Sequence, residues 1–188
     1  MKKSKKSAKK LTAVDIVIIG LSAAIIAVCS QISIPAAVPF TLQTFAVFVG
    51  AGLFGAKRGT LSVVIYILLG AVGVPVFSGF RGGISALFGA TGGYITGFIF
   101  TALIVGTVSD KFSRNPLPLV ISMLLGLAAC YIFGTMWFMI IYTRNTGAIG
   151  LSAVLSMCVV PFIIPDIIKI TCAALVCGRV GKHLRFCC

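Results

Sequence analysis

Apolar residues in this chain come in long, nearly unbroken runs rather than at the three-to-four spacing of a half-buried helix. Six runs can be marked, at 14–30, 41–55, 60–74, 86–109, 118–142 and 151–178. A helix needs about 20 apolar residues to cross the hydrocarbon core, and lipid leaves no backbone group free to go unpaired. The pattern therefore predicts an all-α integral membrane protein, a six-transmembrane-helix bundle over 13–179. A basic cytoplasmic tail at 1–12 precedes it and a second, at 180–188, follows. The second and third runs are short, and Lys57-Arg58-Gly59 between them predicts a tight turn joining a helical hairpin.

Composition agrees. Hydrophobic residues make up 59% of the chain, charged residues 10%, and the mean hydropathy is +1.15, which excludes a water-soluble globule. The net charge of +13 changes the picture only through its placement. Six lysines open the chain in KKSKKSAKK, and Lys57, Arg58, Lys111, Arg114, Arg179, Lys182 and Arg185 fall on the same side of the expected spans. The other side receives Arg81 and Arg144 alone. By the positive-inside rule both termini are cytoplasmic. The lysine tail has no interleaved aromatics to read bases, so no nucleic acid is expected; membrane lipid headgroups are its natural partner. It is too charged, and lacks a clear cleavage site, to be a removed signal.

The two long connections expected on the outer side are SQISIPAAVPF (30–40) and VPVFSGFRGGISALFGATGGY (74–94). Both are apolar and rich in proline or glycine, which suits loops folded over a cavity near the outer face. Gly89, Gly93 and Gly97, four apart, predict close helix packing within the bundle. Ala23 and Ala27, with Gly20 and Ala24 beside them, form a small-residue face that suits either internal packing or contact with another protein.

Several chemistries are missing. No phosphate-binding G-x-x-x-x-G-K-[ST] loop occurs, there is no glutamate, and three aspartates with the single His183 make no catalytic set. His183 reads as a solvated residue of the basic tail. Seven cysteines show no C-x-x-C spacing, so no metal site is expected; most act as small apolar side chains, and Cys187-Cys188 as an unmodified reduced pair. No catalytic residue and no cofactor is proposed. A transporter or binding module remains.

The run PFIIPDIIKITCAALV (161–176) holds two opposite charges, Asp166 and Lys169. They lie about 60° apart on a helix, hence on one face, and each costs roughly 2.5–3.5 kcal/mol at mid-membrane. Pro161 and Pro165 should break the helix and leave the pair in the first turn of its inner portion, where the dipole favours an acid. The pair either neutralises itself between helices or lines a cavity and meets a polar ligand. Gln43, flanked by Thr41 and Thr44, Tyr94, and Arg81 in the outer loop are its candidate companions. Together they suit a compact, partly apolar ligand with an amide-like or urea head and an acidic tail.

These residues resemble the BioY family, the biotin-specific substrate-binding components of energy-coupling factor transporters. The likeness is densest in PFTLQTFAVFVGAGLFGAKRGTLSVVIYILLGAVGVPVFSG (39–79), GGISALFGATGGYITGF (82–98) and VPFIIPDIIKITCAAL (160–175). Ala90 stands where the family often has proline, and Pro165 where glycine is common. The resemblance implies a six-helix bundle in the bacterial plasma membrane that binds biotin near its outer face, with Asp166 accepting from the ureido N–H groups. Lys169 would meet either the ureido oxygen or the carboxylate. It also implies docking, through Ala23 and Ala27, onto a transmembrane coupling subunit that carries two ATPase subunits. The competing readings are a substrate-binding component for another vitamin, a self-sufficient secondary carrier, or a membrane scaffold in which the pair is structural. No internal inverted repeat favours the carrier.

Overall fold

A computed structural model describes residues 11–36, 38–112 and 115–183. The lysines of the first ten residues, Arg114, Arg185, Cys187 and Cys188 lie outside the described residues, as do the side chains of Lys182 and His183. In chain order the elements are α1 (Ala13–Gln31), a short antiparallel pair β1 (Ser33–Ile34) and β2 (Phe40–Thr41), α2 (Gln43–Val72), α3 (Ile84–Leu87), α4 (Gly92–Lys111), α5 (Pro116–Asn145), α6 (Leu151–Cys158) and α7 (Val160–His183). Among the described residues five helical stretches are long and apolar enough to cross a membrane, α6 and α7 counting as one. Polarity is distributed as lipid demands. Ser22, Ser62, Thr101, Ser109, Ser122 and Thr135 are buried, whereas Val17, Leu21, Leu68, Leu117, Leu125 and Ile164 are exposed.

α2 is not one straight rod. Gly55 sits at φ 79°, ψ −178°, a conformation open to glycine and costly for any residue with a Cβ. There the chain folds back. A Cβ on Gly59 would lie 2.7 Å from the Cα of Ala51, and the side chains of Gln43 and Tyr66 are hydrogen-bonded to each other. In a continuous helix those two would stand about 35 Å apart. The expected hairpin is therefore present, but its turn is Gly55. Lys57, Arg58 and Gly59 already belong to the returning arm, because the reversal needs only one left-handed residue.

Two carboxylates fasten this end of the bundle. Asp15 closes a capping box at the start of α1, its Oδ2 accepting the Thr12 amide at 2.8 Å, and its Oδ1 pairs with Arg58 at 2.6 Å. Asp110, near the end of α4, accepts the amide of Ala56 at 3.0 Å. That amide opens the returning arm of α2, where a helix has no internal acceptor and its dipole favours an anion.

Glycine contacts bring α4 and α5 together as the spacing predicts. A Cβ on Gly97 would touch Cys130, and one on Gly93 would strike the Trp137 side chain. Gly89 differs: it precedes α4, and its carbonyl accepts the Trp137 indole N–H at 3.0 Å. The run expected at 86–109 is thus interrupted by the turn at 88–91, and the helix proper begins at Gly92.

Two expectations require correction. Ala23 is 2% exposed and part of the core, and Ala27 packs against that core. This face of α1 is spent inside the chain, so Ala23 offers no surface to a partner; Gly20 and Ala24 lie on the exposed side. The sixth run is broken at Val159, between α6 and α7. α7 starts just before Pro161, so both prolines lie within it and Asp166 falls in its second turn, not its first. The dipole does not hold Asp166; side chains do.

Replacing Gly55 by alanine should lower thermal stability in detergent by about 1–2 kcal/mol or more, since the methyl meets left-handed backbone and the Asp110 carboxylate together. Gly20→Ala, where a Cβ meets nothing within 4 Å, should be neutral or stabilising by roughly 0.5–1 kcal/mol. Equal losses in the two variants would contradict this account of the turn.

Candidate functional site

At the end of the bundle opposite Arg58, a cavity of about 500 Å³ opens beneath the two long loops. Val38 and Pro39 from the first loop, and Phe77, Ser78, Arg81 and Gly82 from the second, form part of its wall. These apolar segments bury themselves by roofing the space. Every ligand-binding candidate from the sequence lines this one cavity: Asp166, Lys169, Gln43, Tyr94 and Arg81.

Asp166 and Lys169 are nearly sealed from solvent, at 2% and 6% exposure, and their charges meet at 2.8 Å. The Lys169 ammonium has three protons and three acceptors. They are the Asp166 Oδ1, the Thr41 carbonyl at 2.6 Å and the Thr44 Oγ1 at 3.2 Å. The Phe40 ring lies 4.0 Å from the ammonium, adding cation–π attraction in a desolvated setting. Lysine thus spends all its donors on the protein.

Asp166 does not. A carboxylate offers about four acceptor positions. Oδ1 accepts from Lys169 and, at 3.4 Å, from Thr44. Oδ2 accepts from the Tyr131 hydroxyl. One position on Oδ2 is left over, on a side chain that lines the cavity. The remaining acceptor is the feature of this site with chemical capacity to spare.

Gln43 is held at both ends. Its Oε1 accepts from the Thr41 hydroxyl at 3.0 Å, and its Nε2 donates to the Tyr66 hydroxyl. Its amide still carries one free N–H and one lone pair. Tyr94 shares its hydroxyl with Thr135 at 3.2 Å, so it serves the cavity as an aromatic wall with a committed tip. Arg81 stands exposed at the mouth and forms no ion pair among the described residues. One end of the cavity is therefore an acceptor among donors, the middle is aromatic and aliphatic, and the rim is cationic.

Tyr131 and Phe40 were not picked out from the sequence, nor was the Thr41 carbonyl. Tyr131 left only a faint signal, being one of four hydroxyl side chains in the fifth run, with Ser122, Thr135 and Tyr142. Nothing in a sequence marks the Thr41 carbonyl, since every residue has one and only the fold selects which lies near an ammonium. No group of three or more metal-ligating side chains occurs among the described residues.

A model of the BioY family matches residues 2–186. The chain is similar to the "Biotin transporter BioY" of Thermotoga maritima, at 41% identity over 87% of this chain and 93% of that protein. It is similar also to the "Probable biotin transporter BioY" of Pyrococcus horikoshii, at 36% identity over 90% and 97%. Among solved structures it resembles an S-component for biotin from an ECF-type ABC transporter, with a TM-score of 0.80 and 26% identity over 92% of this chain and 95% of that one.

Removing one charge of the buried pair strands the other. Lys169→Met should therefore destabilise the detergent-solubilised protein by roughly 3–5 kcal/mol, and Lys169→Met/Asp166→Leu by markedly less. Thermal unfolding of both variants checks this. A double variant less stable than the single one would show that the pair contributes more than mutual neutralisation.

Proposed function

The chain belongs to the BioY family, and from that membership we propose that it is the membrane subunit that captures biotin in the cavity beneath its two long loops. Its function is biotin uptake, and it is a multi-pass membrane protein. The observation that carries the assignment to this cavity is the spare acceptor on Asp166, buried between Lys169 and Tyr131.

Biotin has complementary chemistry. Its ureido head presents an N–H donor to the spare acceptor of Asp166, and its thiolane ring and chain suit the walls formed by Tyr94, Ile95, Phe98 and Leu127. Its carboxylate suits Arg81 at the rim. Lys169, with its donors already taken, acts through Asp166: it holds the carboxylate in place and aimed. This reading favours Lys169 as a support over a direct contact with the ureido oxygen or the carboxylate. Gln43 completes the polar end with its remaining amide groups.

In the same reading the two arms of α2 cross separately, which makes six crossings with both termini in the cytoplasm of a bacterial cell. Energy comes from elsewhere, because the sequence has no phosphate-binding loop. The neighbour described as an S-component of an ECF-type ABC transporter supports a partnership with a transmembrane coupling subunit and two ATPase subunits. Docking would use the exposed side of α1 around Gly20 and Ala24, since Ala23 is buried.

Equilibrium binding of labelled biotin to the detergent-purified full chain tests the assignment. Tight binding is expected. Asp166→Asn and Tyr131→Phe should each weaken it by about tenfold or more, the worth of a hydrogen bond to a charged group. Undiminished affinity in Asp166→Asn would remove Asp166 from the site.

A further inference from the structure

The last turn of α1 grips the loop that follows α2. Gln31 is the centre of that grip. Its Nε2 lies within donating distance of the Phe77 carbonyl at 3.2 Å, the Pro75 carbonyl at 3.4 Å and the Ser30 hydroxyl at 2.8 Å. Its Oε1 accepts the amide of Phe80 at 3.0 Å. Neighbouring Ser30 adds a hydrogen bond to the Val76 carbonyl. Apart from Ser30 itself, the four partners are backbone groups of one short segment, 75–80.

That segment has a defined shape. Phe77 and Arg81 face each other as an isolated antiparallel bridge, with Phe77 N to Arg81 O at 2.9 Å and the reverse bond at 3.2 Å. The Phe77 ring is buried, edge-on to Tyr66 with centroids 5.5 Å apart, above Gly70, where any Cβ would strike it. So one corner of the turn is nailed down. At the other corner, Phe80 has φ 56° and is the single non-glycine residue with positive φ among those described. Left-handed backbone is unfavourable for phenylalanine. Its ring, 74% exposed, makes too little contact to impose it. The Phe77–Arg81 bridge closes the turn around Phe80, and the one hydrogen bond of the Phe80 amide itself, among the described residues, goes to Gln31; the next residue is Arg81.

We infer that Gln31 is a positioning residue: it holds the Phe80 backbone in its left-handed state and so fixes the Arg81 guanidinium at the cavity mouth for the ligand carboxylate. This rests on the reading of Arg81 as the carboxylate partner. It gives α1 an energetic link to one end of the ligand, with no contact between α1 and the ligand itself. Gln31 should therefore govern the preference for an acidic tail and leave recognition of the head untouched.

The test compares biotin with biotinamide, which has the same head and no charge on its tail, in equilibrium binding to the purified full chain. Wild type should prefer biotin. Gln31→Met should lower that preference about tenfold, as expected for a charged contact that is no longer aimed, with biotinamide affinity unchanged. Gln31→Glu keeps an acceptor for the Phe80 amide and should lose less of the preference than Gln31→Met. In an Arg81→Met background, Gln31→Met should change the ratio no further. An unchanged ratio in Gln31→Met, or equal weakening of both ligands, overturns the inference, as does equal loss in Gln31→Met and Gln31→Glu. A wild type that binds both ligands equally would remove the Arg81 contact on which the inference rests. One that binds neither would overturn the biotin reading itself.

Discussion

The ion pair between Asp166 and Lys169 is the constraint around which the cavity end of this bundle is arranged. Two charges in hydrocarbon are tolerated only when their hydrogen-bonding capacity is met. The chain meets it by bringing three elements to one point. Thr41 and Thr44 come from the strand and helix after the first loop, and Tyr131 from α5, to meet the pair on α7. The lysine is saturated by this gathering and the aspartate is not. In the proposed function, that asymmetry is what would turn a structural pair into a site, because a single unfilled acceptor beside an apolar cavity rewards a ligand that brings an N–H.

The opposite end is built by the same rule with the opposite result. Asp15 is consumed by its own capping box and by Arg58, and Asp110 by the amide that opens the returning arm of α2. These carboxylates tie helix ends together, and the Gly55 reversal between them has no slack for even a methyl group. The three acids of the chain thus divide their labour. Two fix one end of the bundle, and the third faces the cavity at the other. The loops over that cavity are anchored through side chains, as at Gln31, rather than through long ladders of backbone pairing.

Much of this was legible in advance because lipid simplifies the code. The long apolar runs marked the first, second and fifth helical segments to within a few residues, and two charges in such a run had to be paired. Gly93 and Gly97 predicted close packing inside the bundle, since missing side chains allow it, and the fold supplied α5 as the partner. Where reading failed, the cause was a choice that composition leaves open. Ala23 and Ala27 suited either an inner or an outer face; packing against α2 put Ala23 inside. Two prolines near Asp166 suggested that the helix would restart beside it, yet Pro161 was accommodated in the first turn and the break moved back to Val159.

The sequence by itself determined the solvent, the helical class and the identity of the charged pair, since each follows from the cost of placing a given side chain or backbone group in hydrocarbon. That cost is a property of the residue and needs no partner to evaluate. Tertiary structure decided which acceptors saturate Lys169, why Asp166 keeps one free, that Gly55 rather than the basic turn reverses α2, and that Gln31 reaches the loop bearing Arg81. Those outcomes depend on distances between residues remote in the chain, from Gln31 to Phe80 and from Thr41 to Lys169. Only the packed bundle sets them.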